Sequence, residues 1–163
     1  MLAFAGPAFA KCDSRITLEA WADEDARIAG LEASVVACPH DHDEYRVGLS
    51  YFAHDDLYEG LSGSARLRAG DTLRVFAGAG LLIGKAERDA DDDDVDNDSD
   101  GAIDESGEQE IHDLTAFVYP EIGISLNADS GAGLTLSARR FYGEEFNGDV
   151  IYSFGVSVGF AGD

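Results

Sequence analysis

The segment 149–160 near the end of the chain alternates strictly between two kinds of side chain. One set of alternate positions is apolar or aromatic throughout and comprises Val150, Tyr152, Phe154, Val156, Val158 and Phe160. The intervening positions are mostly small or polar and comprise Ile151, Ser153, Gly155, Ser157 and Gly159. A repeat of two residues is typical of a β-strand, whose successive side chains point to opposite faces. The segment is also long enough to cross a bilayer, for which a tilted strand needs about 9–11 residues.

Seven earlier segments show the same alternation, so the chain predicts eight strands. The expected bounds of the seven are 15–22, 26–37, 45–53, 57–68, 72–86, 114–127 and 134–142. Pro120 falls inside the sixth segment, where it cannot donate a ladder hydrogen bond. The alternation stays in phase on both sides of Pro120. We therefore expect one continuous strand with a local irregularity at that residue.

Length and charge narrow the classes of protein that fit. The 163 residues are enough for one domain, and no run approaches the ~18 apolar residues of a transmembrane helix. The net charge is −22, and the segment 87–113 holds fourteen acidic residues against one arginine. Such an acidic chain lacks the basic face that nucleic-acid binding requires. A helical membrane protein and a nucleic-acid-binding protein are therefore both excluded.

The polar face of the strands distinguishes two kinds of barrel. A soluble lipocalin-like barrel that binds an apolar ligand places its apolar face inside, whereas a transmembrane barrel turns that face to lipid. A water-exposed face is typically rich in Lys, Glu and Gln. This face carries Gly, Ser and Thr with charges that need partners in a narrow lumen, namely Glu19, Glu32, Arg46, Arg66, Arg74, Glu121 and Arg139. The pattern favours an all-β, eight-stranded antiparallel up-and-down transmembrane barrel, and the soluble barrel is the alternative.

The lengths of the connections agree with a transmembrane barrel. If the chain starts on the periplasmic side, the short turns around Gly70 and Ser130 are periplasmic, while the acidic segment 87–113 and the loop 143–148 lie outside. Bacterial barrels have short periplasmic turns, longer external loops and aromatic girdles at both interfaces. Apolar-face aromatics also lie near the strand ends, with Tyr45 and Phe160 at one rim and Tyr142 and Tyr152 at the other.

The closing segment carries a resemblance to a known family. Ser153-Phe154-Gly155-Val156-Ser157-Val158-Gly159-Phe160 resembles the C-terminal assembly signal of bacterial outer-membrane barrels, although Ala161-Gly162-Asp163 follow the aromatic residue that usually ends it. With eight strands, the chain is similar to the small outer-membrane barrels of the OmpA and OmpX type. The resemblance implies a location in the outer membrane of a Gram-negative-type bacterium. It also implies contacts with outer-membrane lipid or lipopolysaccharide, recognition by the barrel-assembly machinery and a monomeric state.

The beginning of the chain suggests export. Residues 1–10 are apolar and end in Ala8-Phe9-Ala10, which is typical of the end of a secretory signal, although the charged start of such a signal is missing. We therefore interpret residues 1–10 as a signal-peptide remnant and residues 11–163 as one barrel domain. In an exported protein Cys12 and Cys38 can form a disulfide. Their positions on opposite faces would require an irregular entry into the first strand.

The acidic segment contains a motif typical of calcium loops. The sequence from Asp96 to Glu105 reads D-N-D-S-D-G-A-I-D-E, which matches the first nine positions of such a loop. The expected oxygen ligands are Asp96, Asp98, Asp100, the Ala102 carbonyl, Asp104 and Glu105. The twelfth position, normally a bidentate Glu, is Gly107, so Glu105 or Glu108 would have to replace it. We expect Ca²⁺ as the cofactor, with an affinity of about 10⁻⁴–10⁻³ M.

The histidine-containing motifs are weaker indications of a metal site or a catalytic site. His40-Asp41-His42-Asp43 offers two imidazoles but no third metal ligand at a fixed spacing, so an exposed turn is expected. His54-Asp55-Asp56 and His112-Asp113 would lie near the outer rim. They are the basis of the alternative hypothesis of an outer-membrane enzyme that acts on lipid A or peptides. Trp21 is expected to plug one end of the lumen, with Arg139 inside the barrel and Arg140 at the rim.

No convincing catalytic set emerges from the sequence. The favoured function is a non-enzymatic, structural or surface-binding role for a small outer-membrane barrel, with an acidic external loop that binds calcium. An eight-stranded lumen is only wide enough for side chains to fill it, so an open pore is not expected.

Overall fold

The chain folds into a closed barrel of eight antiparallel strands. The computed structural model describes residues 14–25, 27–53, 57–89, 109–128, 130–143 and 147–159. Strands pair in sequence order, and β8 pairs with β1 to close the sheet. Their bounds are β1 Arg15–Asp23, β2 Ala29–Ala37, β3 Asp43–Ala53, β4 Leu57–Ala69, β5 Leu73–Asp89, β6 Gln109–Asn127, β7 Ala132–Tyr142 and β8 Asn147–Gly159. In the described part of the chain, no helix is long and apolar enough to cross a membrane.

The apolar face of the strands points outward, and the polar face points into the barrel. On β3, for example, Arg46 and Ser50 are buried, whereas Val47, Leu49 and Tyr51 between them are exposed. The same alternation of buried and exposed residues runs along the other strands. The fold class predicted from the sequence is therefore confirmed.

Two strands extend further than the apolar pattern predicts. Alternation predicts that the fifth strand ends at residue 86 and the sixth begins at residue 114. The β5–β6 ladder instead continues to Arg88–Glu110 and Asp89–Gln109, with a register shift after Ala86. Ladder hydrogen bonds join backbone atoms, so pairing continues after the side chains become charged. The connection between the two strands is therefore shorter than the predicted acidic loop 87–113.

The second strand starts later than predicted, at Ala29 rather than residue 26. The Asp23 carboxylate accepts a hydrogen bond from the Ile28 backbone N–H (3.0 Å), and the Asp23 N–H donates to the Ile28 carbonyl (3.1 Å). These two bonds close a wider turn between β1 and β2. They also direct the side chain of Ile28 into the barrel, where it is buried.

The irregularity expected at Pro120 is present on one side of β6. Pro120 pairs with Ala79 of β5 without a break in register. Towards β7, Glu121 pairs with Arg139 and the next pair is Val118 with Tyr142, so the ladder omits two residues on each strand. Proline has no N–H to donate. This missing donor accounts for the interruption of the β6–β7 ladder.

Cys38, which directly follows β2, is disulfide-bonded. The chain contains one other cysteine, Cys12, which lies outside the described residues. The oxidised state of Cys38 agrees with the expected bridge to Cys12.

Glycines on the inner face make space for large side chains. A Cβ atom added to Gly80 would lie 2.3–2.6 Å from ring atoms of Tyr119, and one added to Gly155 would lie 2.6 Å from Cγ of Glu19. Gly80 is the cross-strand partner of Tyr119, so the ring lies across the neighbouring strand at a position without a side chain. These glycines allow a narrow barrel to hold bulky residues.

We predict that Gly80→Ala lowers the free energy of unfolding by about 1–3 kcal/mol, because the added methyl group overlaps the buried Tyr119 ring. The matched control is Gly63→Ala, since a Cβ at Gly63 meets only the Arg46 carbonyl oxygen at 3.9 Å. Urea unfolding in lipid vesicles measures both variants. Equal stability of the two would show that the Tyr119 ring does not need the space at Gly80.

Candidate functional site: the filled lumen and its lipid-facing wall

Arg139 lies at the centre of an ion-pair network inside the barrel. Its side chain is 1% exposed. Nε lies 2.9 Å from Glu121 Oε1, Nη1 lies 3.0 Å from Glu32 Oε2, and Nη2 contacts Glu19 Oε2. These carboxylates come from β6, β2 and β1, so one guanidinium on β7 joins four strands. The planar guanidinium group presents its donors in a fixed fork, which suits such simultaneous pairing.

Two further arginines complete the network. Arg66 binds Glu121 with both Nε (2.7 Å) and Nη2 (2.5 Å), which is a bidentate pair. Arg46 Nη1 lies 2.8 Å from Glu19 Oε1, an ion-pair contact whose angle is unfavourable for a hydrogen bond, and Nη2 lies 3.3 Å from Glu32. All these charges are buried. Each carboxylate of Glu19, Glu32 and Glu121 therefore has at least two arginines beside it.

Apolar and aromatic side chains occupy the half of the lumen towards the connection between β5 and β6. All are at most 3% exposed, and they comprise Trp21, Ile28, Phe52, Tyr58, Leu82, Ala86, Phe117, Tyr119, Phe141 and Ile151. Phe52 and Tyr58 are stacked with their centroids 4.7 Å apart, and Phe117 meets Phe141 edge to face at 6.2 Å. We call these ten residues the aromatic plug. It lies at the end of the barrel where β5 and β6 extend towards the acidic segment.

Arg139 also connects the ion-pair network to the aromatic plug. Its guanidinium carbon lies 4.8 Å from the centroid of Trp21 and 5.3 Å from that of Tyr119. Cation–π contacts of this kind are stronger when they are shielded from water. The expectation that Trp21 plugs the lumen is confirmed, and so is the placement of Arg139 inside the barrel and Arg140 at its surface.

The outer wall of the barrel is apolar on every strand. Examples, one from each strand in order, are Leu18, Leu31, Leu49, Leu61, Leu81, Ile122, Leu136 and Phe154, all at least 40% exposed. Monomeric soluble proteins rarely expose a continuous apolar patch above about 300–600 Å². A wall that is apolar around its whole circumference is complementary to lipid rather than to water. Of the rim aromatics, Tyr45, Tyr142 and Tyr152 face outward as predicted, while Phe160 lies outside the described residues.

The metal ligands predicted from the sequence are not among the described residues. Asp96, Asp98, Asp100, Ala102, Asp104 and Glu105 all fall between residues 90 and 108. His54 and the side chain of His112 also lie outside the described part. His40 is exposed on a turn with its Nδ1 3.2 Å from Asp43 Oδ2. Among the described residues, no group of three or more His, Cys, Asp or Glu side chains is suited to a metal ion.

The predicted third strand, 45–53, leaves out one charged residue of the lumen. β3 instead begins at Asp43, and the buried Glu44 carboxylate contacts Arg15 and Arg66. The alternation that includes Arg46 passes through Glu44 as well, so that pattern contained the necessary signal. Ile28 has the same parity as Gly30, Glu32 and Ser34, so the predicted strand 26–37 already places its side chain on the inner face.

The fold and the lumen together define a class of protein, the small eight-stranded transmembrane β-barrel. The N-terminal β-barrel domain of Pseudomonas aeruginosa OprF matches with a TM-score of 0.65 and 16% identity, over 90% of this chain and 97% of that chain. Neisserial surface protein A (NspA) matches with a TM-score of 0.58 and 15% identity, over 91% and 95% of the two chains. A barrel from the de novo design of transmembrane β-barrels matches with a TM-score of 0.55 and 7% identity, over 91% and 95%. At these identities the likeness is one of fold.

No protein-family model matches the sequence, and no curated protein matches it either.

We predict that Arg139→Met lowers the free energy of unfolding by about 3–5 kcal/mol, because it leaves buried carboxylates without their shared partner. The neighbouring Arg140→Met is the matched control, since Arg140 is exposed and should cost much less. The measurement is urea unfolding in lipid vesicles.

A second comparison separates lost charge pairing from lost packing at this position. The double variant Arg139→Met with Glu32→Gln removes the carboxylate that would be left with Arg46 alone, at 3.3 Å, and should recover part of the lost stability. A double variant that is as unstable as the sum of its parts would contradict the network.

We also predict that Leu49→Arg lowers the free energy of unfolding in a bilayer by about 2–4 kcal/mol, because Leu49 is 66% exposed on the apolar wall near the middle of β3. Tyr45→Arg, near the end of the same strand, should cost only about 0–1 kcal/mol. The yield of folded protein in vesicles, read from heat-modifiable gel mobility, checks both. A Leu49→Arg barrel as stable as the Tyr45→Arg barrel would contradict a lipid-facing wall.

Proposed function

We propose that this chain is a non-enzymatic barrel of the outer membrane of a Gram-negative-type bacterium, with a structural or surface-binding role that does not involve transport. The observation that carries the proposal is the combination of an apolar outer wall and a lumen occupied by buried aromatic and charged side chains. The apolar wall requires surrounding lipid. Because side chains occupy the lumen, we expect the protein to bind its partners at the surfaces outside the membrane. A similarity in fold to OprF and NspA agrees with the location.

The filled lumen supports the absence of a pore. The aromatic plug occupies the half of the lumen towards the acidic segment. The ion-pair network of Arg46, Arg66 and Arg139 occupies the neighbouring space inside the barrel. An ion crossing the barrel would have to pass between tightly packed rings and break buried ion pairs. Each step would cost several kcal/mol.

The experiment that tests this function combines location with conductance. An epitope tag inserted in the segment 90–108 should be accessible to antibody on intact cells, and the barrel should fractionate with the outer membrane. The purified, refolded barrel should show no channel steps in a planar bilayer. A tag hidden on intact cells, a defined conductance, or hydrolysis of lipid A or peptides by the pure barrel would overturn the proposal.

We further propose that the barrel contacts lipid phosphate at its outer rim. Among the described strand residues, two cationic side chains are exposed, Lys85 and Arg140, and both lie towards the acidic end. Lys85 borders an outer groove of about 500 Å³ that also includes Leu49, Leu61 and Leu114. An ammonium group above an apolar groove matches a phosphorylated lipid with an acyl chain, such as lipopolysaccharide. The barrel closes where β8 pairs with β1. We expect the barrel-assembly machinery to act at this closing pair of strands, on a monomer.

Calcium binding by the acidic segment is the second candidate function. It is supported by the motif Asp96 to Glu105, in which alternate aspartates precede a glycine at the turn position of a calcium loop. The β5–β6 hairpin that carries this motif extends past the apolar part of the wall. We expect a cation-binding loop at this end of the hairpin to act close to the phosphate groups of the outer leaflet.

We predict that calcium binds the refolded barrel with a Kd of about 10⁻⁴–10⁻³ M, and that Asp98→Ala and Asp100→Ala each weaken binding by at least about tenfold. Asp71→Ala in the β4–β5 turn is the matched control, since it removes the same charge at the opposite end. Isothermal titration measures all four proteins. Identical titrations of wild type and the two loop variants would remove the calcium proposal while leaving the barrel unaffected.

A further inference from the structure

Two opposite charges lie side by side on the outer wall, near the acidic end of the barrel. Glu59 on β4 and Lys85 on β5 are cross-strand partners, and both side chains are exposed. β4 begins at Leu57, so the two charges lie close to the rim. Charged groups are costly against hydrocarbon, and a position near the rim brings them to the level of the lipid headgroups. Within the described part of the chain, neither side chain forms an ion pair, so both charges can bind a ligand.

The same two residues border an apolar groove in the wall. The groove has a volume of about 500 Å³, and its lining includes Leu61 and Ile83 as well as Glu59 and Lys85. Leu61 and Ile83 are themselves cross-strand partners, two positions further from the rim. Two residues of a strand span about 6–7 Å. The charged row therefore lies nearest the rim and the apolar row lies deeper, which is the order of headgroup and acyl chain in a lipid.

Tyr51 extends the charged row on to β3. It is the cross-strand partner of Glu59, lines the same groove and is 50% exposed. Tyrosine is enriched at membrane interfaces because its ring is apolar and its hydroxyl is polar. Across the three strands, the row presents a hydroxyl, a carboxylate and an ammonium group. Such a row is complementary to a headgroup that carries both a phosphate and an amine.

We propose that this groove binds a zwitterionic phospholipid of the phosphatidylethanolamine class. Lys85 pairs with the phosphate, Glu59 accepts hydrogen bonds from the primary ammonium group, and an acyl chain lies in the apolar part of the groove. A choline headgroup has no N–H to donate to Glu59, and a glycerol headgroup brings no positive charge to it. The site depends on the lipid-phosphate contact at Lys85 proposed above, and Glu59 adds the selectivity for an amine.

The test is native mass spectrometry of the full chain, refolded in detergent and mixed with one phospholipid at a time. The three probes are phosphatidylethanolamine, phosphatidylcholine and phosphatidylglycerol with identical acyl chains. We expect wild type to bind phosphatidylethanolamine about three- to fivefold more tightly than the other two, which is the range of one exposed ion pair. Glu59→Gln should abolish this preference, whereas Glu59→Asp should keep part of it. Lys85→Gln should weaken the binding of all three lipids.

The matched controls carry the same changes of charge at the same end of the barrel but away from the groove. They are Asp149→Asn on β8 and Arg140→Gln on β7, both at exposed positions, and each should bind the lipids as wild type does. Heat-modifiable gel mobility verifies that every variant is folded.

The outcomes separate the headgroup selectivity from the phosphate contact. Equal binding of the three lipids by wild type, or a preference that Glu59→Gln retains, would overturn the amine site. If Lys85→Gln still weakened binding in that case, the phosphate contact would stand. An absence of lipid binding, or lipid binding that Lys85→Gln leaves unchanged, would overturn both.

Discussion

The barrel depends on Arg139, whose side chain touches both halves of its interior. Its guanidinium pairs with Glu19, Glu32 and Glu121 and lies against the rings of Trp21 and Tyr119. Transferring such charges from water is costly, and only well-formed pairing offsets the cost. The observed register places three carboxylates from three strands around one β7 residue, so these charges are paired in it. The network thus favours one closed arrangement of the sheet over a shifted one.

Space inside the barrel is the second constraint. Bulky rings and charged side chains share a lumen only wide enough for side chains, and glycines such as Gly80 provide the room that Tyr119 needs. The result is a lumen with an apolar half and a charged half, surrounded by an apolar wall. Because side chains occupy both halves, the proposed functions are located outside the lumen.

Much of this architecture follows from the sequence because a strand has a period of two. Alternation correctly places Arg46, Arg66 and Glu121 inside and Leu49 outside. It cannot say which arginine meets which glutamate, because that depends on the stagger between strands rather than on the face of any one strand. It also does not fix where a strand begins, since β3 starts at Asp43 and brings Glu44 into the barrel. The predicted calcium ligands Asp96 to Glu105 lie outside the described residues and stay a prediction.

The central claim is that the apolar face contacts lipid and the polar face does not. The most direct test uses tryptophan fluorescence in vesicles that contain brominated lipids, which quench only tryptophans close to the acyl chains. Trp21 is the single tryptophan of the chain and is 3% exposed inside the barrel, so its fluorescence should be almost unchanged. In a Trp21→Phe background, Leu49→Trp should be strongly quenched. Strong quenching of Trp21 together with an unquenched tryptophan at position 49 would show that the barrel is inverted and that the account is wrong.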